Sequence, residues 1–222
     1  MISILIPVYN YDITGLVTEL HRQCMDLDMP FEIICYDDGS QPEYKVQNQT
    51  IGLIEFVKYK EIEKNHGRAA IRNLMAASAL YEMLIFIDCD MEICSSSFLQ
   101  KYLEYAGRGA VVGGITYAEN PPKDQEKYLR WLYGVNRESR SAEFRNKTPY
   151  GSFMSGNFAI NKVDFDLVRF DETIKGYGHE DTLFGSDLGK KNLPVVHIDN
   201  CLLHNGLDSS DVFLSKTKNA VE

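Results

Sequence analysis

An α/β fold built on a doubly wound, largely parallel sheet is predicted by three observations. Residues Met83–Ile87 and the Asp88-Cys89-Asp90 that follows (MLIFIDCD) run large apolar side chains straight into two carboxylates. The run shows no alternation, which is the pattern of a strand covered on both faces. Short apolar runs alternate with helix-length segments across the first half of the chain, as βαβ units require. Acidic or glycine-bearing turns follow those runs, at the strand ends where ligands of such sheets bind.

The elements follow in order. Ile2–Val8 reads as the first strand, closed by Pro7 and the turn Tyr9-Asn10. Residues 13–25 carry Ile13, Leu16, Val17, Leu20 and Met25 near a helical period. Residues 31–36 (FEIICY) form strand two and 54–59 a shorter third strand. Residues 67–81 are an Ala-rich helix, and 95–105 a helix capped by one of three serines. Residues 110–117 return as a strand. Residues 125–140 read as one long amphipathic helix whose Tyr128, Trp131 and Tyr133 could stack on a sugar but are expected in the core, and 145–155 as a mobile polar loop. A short strand at 157–160, a glycine-rich turn at 176–181, a helix at 180–188 and a last strand at 195–198 complete the pattern. Residues 208–222 look like a helix that stops without a C-terminal cap, so the natural chain is expected to continue.

Composition narrows the function classes. With 222 residues, 44% hydrophobic and 25% charged, the chain suits one sizeable domain. A net charge of −9 argues against an extended nucleic-acid surface. Five scattered cysteines, Cys24, Cys35, Cys89, Cys94 and Cys201, fit free thiols in a reducing compartment and not a disulfide framework. No targeting segment and no stretch of transmembrane length is visible, so a soluble, cytoplasmic chain is expected.

Several constellations can carry chemistry. Asp88 and Asp90, at a strand's carboxyl end, suit a hard divalent cation that also holds substrate phosphates; the plainer reading is a pair of surface aspartates in a turn. Asp37-Asp38-Gly39-Ser40 follows strand two, and an Asp there can accept from a base N–H or a ribose hydroxyl. Asn65-His66-Gly67-Arg68 opens the Ala-rich helix, whose N-terminus attracts anions. Arg68 and Arg72 are four apart and share one helix face, shaped to clamp a diphosphate. His197 lies within an apolar strand and reads as structural. His204 can complete a Mn²⁺ site that already has carboxylate and phosphate ligands.

Taken together, SILIPVYN, DDGS, N-x-G-x-x-x-x-R-N at residues 65–73 and the D-x-D at 88–90, in this order, resemble the family 2 glycosyltransferases. The family often has Ala where this chain has Ile71, a departure that touches helix packing. The resemblance implies the GT-A fold, a nucleotide-binding α/β sandwich with a mostly parallel central sheet flanked by helices. It implies a single domain over residues 1–205, with a nucleotide-binding half at 1–115, an acceptor-binding half at 116–205, and a helical segment at 206–222. Asp38 is then expected at the base, Arg72 near the diphosphate, Asp90 as principal metal ligand and Asp88 at the ribose or the metal. Pro7, Tyr9, Asn65, Gly67, Arg68 and Cys89 fall in the matching motifs and are expected around the nucleotide sugar. Ser155-Gly156-Asn157-Phe158 resembles the segment lining the donor sugar, which points to Gly156 and Asn157. His204 matches the position of a third metal ligand. Gly176-Tyr177-Gly178-His179-Glu180-Asp181 resembles a Gly-x-Gly-x-Glu-Asp segment in which Asp181 is the base and Glu180 its neighbour in acceptor binding.

The implied activity is metal-dependent (Mn²⁺ or Mg²⁺) transfer, with inversion, of a sugar from a nucleotide diphosphate sugar such as a UDP-sugar. The implied acceptor is a saccharide or lipid-linked hydroxyl in polysaccharide or glycolipid synthesis, compatible with peripheral contact at the inner membrane face. Two rivals stand beside it. A sugar-phosphate nucleotidyltransferase would want a glycine-rich basic loop after strand one, which PVYNYD lacks. The other rival is a nucleotide-sugar-binding domain without turnover, against which the full acidic set weighs. No G-x-G-x-x-G follows any strand, against a dinucleotide dehydrogenase.

Overall fold

A computed structural model describes residues 1–107, 109–174 and 178–221. Among the described residues, ten strands form two sheets: β1 (Ile2–Val8), β2 (Phe31–Asp38), β3 (Val57–Ile62), β4 (Met83–Ile87), β5 (Met91–Ile93), β6 (Ala110–Val112), β7 (Ile115–Thr116), β8 (Asn157–Asn161), β9 (Val195–His197) and β10 (Leu202–His204). The large sheet runs β3-β2-β1-β4-β8-β6-β9, and the small one β5-β10-β7. Pairings in the large sheet are parallel except those of β8, which lies antiparallel between β4 and β6. The expected α/β sandwich with a mostly parallel sheet is therefore what the chain adopts.

The helices are α1 (Thr14–Asp26), α2 (Pro42–Asn48), α3 (Arg68–Ser78), α4 (Phe98–Leu103), α5 (Tyr128–Tyr133), α6 (Ala142–Arg145), α7 (Lys162–Val168), α8 (Glu180–Lys190) and α9 (Ser210–Val221). No helix among the described residues is long and apolar enough to cross a membrane.

Strand periodicity divides the core between the two faces of the sheet. Ile4, Ile6, Ile33, Ile85 and Ile87 pack with Leu16, Val17 and Leu20 of α1. Leu5, Ile34, Leu84 and Phe86 pack on the other face with Ile71 and Met75 of α3. There Phe86 stacks on Phe158 (4.7 Å between centroids) and Phe170 on Phe184 (4.3 Å). Strand order reverses at β1, because β2 and β3 extend to one side and β4 lies on the other. That switch point opens a crevice at the carboxyl ends of β1 and β4.

Several expectations need correction. Strand β3 lies three residues later than read, because a 3₁₀ turn over Gln49–Leu53 and a left-handed Phe56 (φ 63°) precede it. Ser97 precedes α4, but its hydroxyl meets Ser95 Oγ and makes no bond to a helix N–H. The segment read as one helix over 125–140 is a 3₁₀ turn, α5 and a π turn over Gly134–Glu138. Its Tyr128 and Tyr133 are exposed, and Arg130 is the buried side chain. Trp131 packs against the core and donates to the Ala118 carbonyl at 2.8 Å.

The strand read over 110–117 divides into β6 and β7 at Gly113-Gly114, where Gly114 takes φ 85°. The chain leaves one sheet there for the other, while the backbone N–H groups of Ile198, Asn200 and Leu202 bind the Val112, Gly113 and Gly114 carbonyls (3.0, 3.3 and 3.3 Å). Arg145 adds a second donor to this crossing. It donates to Val112 O (3.1 Å), Gly113 O (3.1 Å), Ile198 O (2.8 Å) and Arg140 O (3.0 Å). Asn157 donates to Gly114 O (2.7 Å) and Asn200 O (2.9 Å) and accepts from Tyr102 (2.6 Å). Arg145, read as the start of a loop, is thus a buried strut. His197 accepts from it through Nδ1 (2.8 Å) and donates from Nε2 to Pro149 O (2.9 Å). Burial holds both groups' pKa values down. Arg145→Met is expected to remove these charge-assisted bonds from the crossing and cost about 3 kcal/mol. Thermal unfolding should register a fall of about 6–12 °C.

Candidate active site

The crevice is shaped first by a stitch between two loops. Asp38, at the end of β2, accepts from the backbone N–H groups of His66 (2.8 Å) and Gly67 (3.0 Å), and Asn65 Nδ2 donates to the Asp38 carbonyl (2.9 Å). Gly39 (φ 81°) lets the loops close, since a Cβ there would stand 2.9 Å from Asn65 N. The Asp38 carboxylate therefore orders the N-terminus of α3 while it lines a cavity of about 460 Å³. Pro7, Tyr9, Asn65, Gly67 and Cys89 line the same cavity.

Arg68 and Arg72 do share one helix face, and both reach Asp88. Arg72 Nη2 lies 2.5 Å from Asp88 Oδ1, and Arg68 Nη2 3.2 Å from Oδ2. Burial pushes the Asp88 carboxyl up, but the Arg72 and Arg68 guanidiniums together hold it below the usual carboxylate range. Arg72 is buried, with Phe170 against its guanidinium at 5.6 Å. It lines the same cavity and supports Asp88 there. Arg68 Nε also pairs with buried Glu180 at 2.6 Å, so Glu180 faces the arginine. Gly156 backs this cluster, its absent Cβ leaving 3.1 Å to Asp88 Oδ2.

Asp90 is placed differently. The antiparallel pair β5–β10 brings His204 opposite Met91, and His204 Nε2 lies 3.3 Å from Asp90 Oδ2. Asn205 N–H binds the Asp90 carbonyl at 2.9 Å. The His204 ring rests on Tyr117 (5.3 Å), whose hydroxyl donates to Glu138, itself paired with Arg130 at 3.0 Å. The Tyr117 ring fills the space where a Cβ of Gly134 would be. A carboxylate oxygen and an imidazole nitrogen side by side suit Mn²⁺ or Mg²⁺ whose other positions go to phosphate oxygens. His204 Nδ1 is buried without a hydrogen-bond partner among the described residues, so no acceptor among them claims that nitrogen. Asp88 does not join the pair, because both of its oxygens face arginines. Among the described residues no three acidic, histidine or cysteine side chains form a cage.

A Cβ at Gly206 would overlap the Asp90 carboxylate. Gly206→Ala is expected to displace Asp90 with little loss of stability. A Mn²⁺ titration should show binding weakened about tenfold or more, at an unchanged melting temperature.

The second cavity, about 600 Å³, is lined by Asp88, Asp90, Gly156, Asp181, His204 and Lys216 among others. Asp181 opens α8. Its Oδ2 accepts from Ser155 N (3.2 Å), and its Oδ1 has no partner among the described residues. Burial first, then the Glu180 charge, pushes its carboxyl above the usual range against the pull of Arg68 and Arg72. Gly176 and Tyr177 of the predicted turn lie outside the described residues. Asn157, expected at the sugar, is buried beneath the site with its amide fully engaged.

Sequence reading missed Lys216, Asp208, Arg130 and Glu138. Asp208 precedes, and Lys216 eight residues later lies within, a helix read only as an appendage. Arg130 and Glu138 were hidden by an expected continuous helix whose period the π turn breaks.

The family model described as glycosyl transferase family 2 matches residues 3–167. A chondroitin synthase of Pasteurella multocida (strain Pm70) is 25% identical over 86% of this chain and 23% of its own length. A chondroitin synthase of Escherichia coli is 23% identical over 91% of this chain and 34% of its own. The chain thus spans about a quarter to a third of the curated relatives it matches. Among solved structures, TarS 1-349 of S. aureus in complex with UDP-GlcNAc superposes with a TM-score of 0.61 at 18% identity, covering 92% of this chain and 56% of that one. The mannosyltransferase PcManGT of Pyrobaculum calidifontis, in complex with GDP-Man and Mn²⁺, gives 0.60 at 17% identity, with 92% and 56% covered.

Proposed function

The chain belongs to glycosyl transferase family 2, and we propose that its cleft transfers a sugar, with inversion, from a UDP-sugar to a hydroxyl of a saccharide or lipid-linked acceptor. The setting is polysaccharide or glycolipid synthesis on the cytoplasmic side, with peripheral membrane contact where the acceptor is lipid-linked. The observation that carries this reading is the meeting of two cavities at Asp88, Asp90 and Arg68, with Asp181 in the wall of the second. The UDP-GlcNAc complex of a protein of the same fold supports the choice of donor.

The nucleoside fits the cavity bounded by Tyr9, Asp38 and Asn65, whose walls the Asp38 stitch holds. Asp90 and His204 would hold Mn²⁺ or Mg²⁺, which when bound neutralises charge on the leaving diphosphate as a Lewis acid. Arg72 fixes Asp88, so that Asp88 meets the ribose or the sugar in one orientation. Asp181 accepts the acceptor's hydroxyl proton at its unpartnered Oδ1. Its raised pKa makes it a stronger base than an exposed aspartate. Glu180, tied to Arg68, is not free to serve as a covalent nucleophile, which favours direct displacement and hence inversion.

Incubation with UDP-sugars and Mn²⁺, with release of UDP as the readout, tests the reading. Metal-dependent UDP release is expected, accelerated by saccharide acceptors. No release from any UDP-sugar at any metal concentration would overturn it.

A further inference from the structure

Tyr9, Arg68, Asp88, Asp90 and Lys216 line both cavities and so form the passage between them. On the reading that a nucleoside occupies one cavity and the transferred sugar the other, the diphosphate must lie across this passage. The passage carries two carboxylates and two cations. Arg68 is engaged by Asp88 and Glu180. Lys216 comes from the middle of α9, and its ammonium bonds both oxygens of Asp208, at 3.0 and 2.8 Å.

Both ends of α9 are fastened. Ser210 Oγ donates to Glu126 O at 2.7 Å, and Phe213 packs on Arg130 and Tyr133 (5.4 and 5.2 Å). At the far end, Ala220 O meets His179 Nε2 at 2.6 Å, beside Glu180 and Asp181. The helix thus ties the residues around Glu126 to the start of α8 and presents Lys216 to the passage between them.

We propose that Lys216 binds the donor diphosphate, its ammonium exchanging the Asp208 carboxylate for phosphate oxygens when the nucleotide enters. Asp208 serves as the anion that holds Lys216 in place beforehand. A lysine suits this exchange because its charge is compact and imposes no planar geometry, so a short rotation moves it from one oxyanion to another. The side chain is 40% exposed, so it is solvated enough to move and near enough to be captured.

Isothermal titration of the whole chain with UDP in Mn²⁺, and ligand-observed NMR with uridine, test the assignment, which rests on the function proposed above. Lys216→Met is expected to weaken UDP about tenfold, the loss of one charge-assisted contact. Uridine should bind as before, and Lys216→Arg should recover most of the UDP affinity. Equal UDP affinity in Lys216→Met and the parent would overturn the assignment and leave the cleft reading standing. An equal loss for uridine would also overturn it, since the diphosphate would not be what Lys216 reads. If the parent does not bind UDP, the cleft reading falls, and this assignment falls with it.

Discussion

Asp90→Ala is expected to reduce metal-dependent turnover by about a thousandfold, equivalent to about 4 kcal/mol of transition-state charge stabilisation. The chain's other acidic groups cannot compensate. Glu92 and Asp88 are the nearest carboxylates in sequence; Asn205 Nδ2 donates to Glu92 at 2.6 Å, while Arg72 and Arg68 claim the two oxygens of Asp88 at 2.5 and 3.2 Å. Moving it to a cation would leave a buried guanidinium without its counter-charge, which costs several kcal/mol in typical proteins. The Asp90 carboxylate pairs with His204 at 3.3 Å, so its removal should change stability by no more than about 0.5 kcal/mol. Steady-state rates at several Mn²⁺ concentrations, alongside thermal melting, check both halves. Full activity in the variant would mean that Asp90 holds no cation.

The second large effect concerns Asp181. Asp181→Asn should lower kcat by about 10²–10⁴-fold, the range for loss of a general base, and leave UDP affinity unchanged. The pH dependence has a definite sign. Only the deprotonated carboxylate can take the acceptor's proton, and burial with the neighbouring Glu180 charge raises its pKa above 3.8. The acid limb of kcat/KM should therefore lie above the ordinary carboxylate range. It should vanish from the residual activity of the Asn variant. An unchanged acid limb in that variant would assign it to another group. Loss of UDP affinity would show that Asp181 serves the donor.

Much of the large sheet could be read from local pattern, because strands covered on both faces leave uninterrupted apolar runs. β1 and β4 match their expected bounds, and the placement of Asp88 and Asp90 beyond β4 follows from that. The small sheet could not be read. Met91–Ile93 and Leu202–His204 are three residues each, too short for any period, yet their pairing is what sets His204 against Asp90. The separate placement of Asp88 and Asp90 was equally invisible. It depends on Arg72 arriving from α3 and on Gly206 vacating space for the second carboxylate. Asn157 shows the reverse case. Its position in a family motif suggested ligand contact, but its amide is spent on the Gly114 and Asn200 carbonyls where the chain crosses between the sheets. Polar residues beside a site can thus be structural, and only the local hydrogen-bond accounting separates the two uses.

The central claim is that Asp90 and His204 share one cation with the donor diphosphate. Crystals grown with UDP and Mn²⁺, with diffraction data collected near the manganese absorption edge, test it most directly. The account predicts one strong anomalous peak in contact with Asp90, His204 and the diphosphate oxygens. A peak bound elsewhere, or UDP seated in the cleft with no peak beside Asp90, would contradict it.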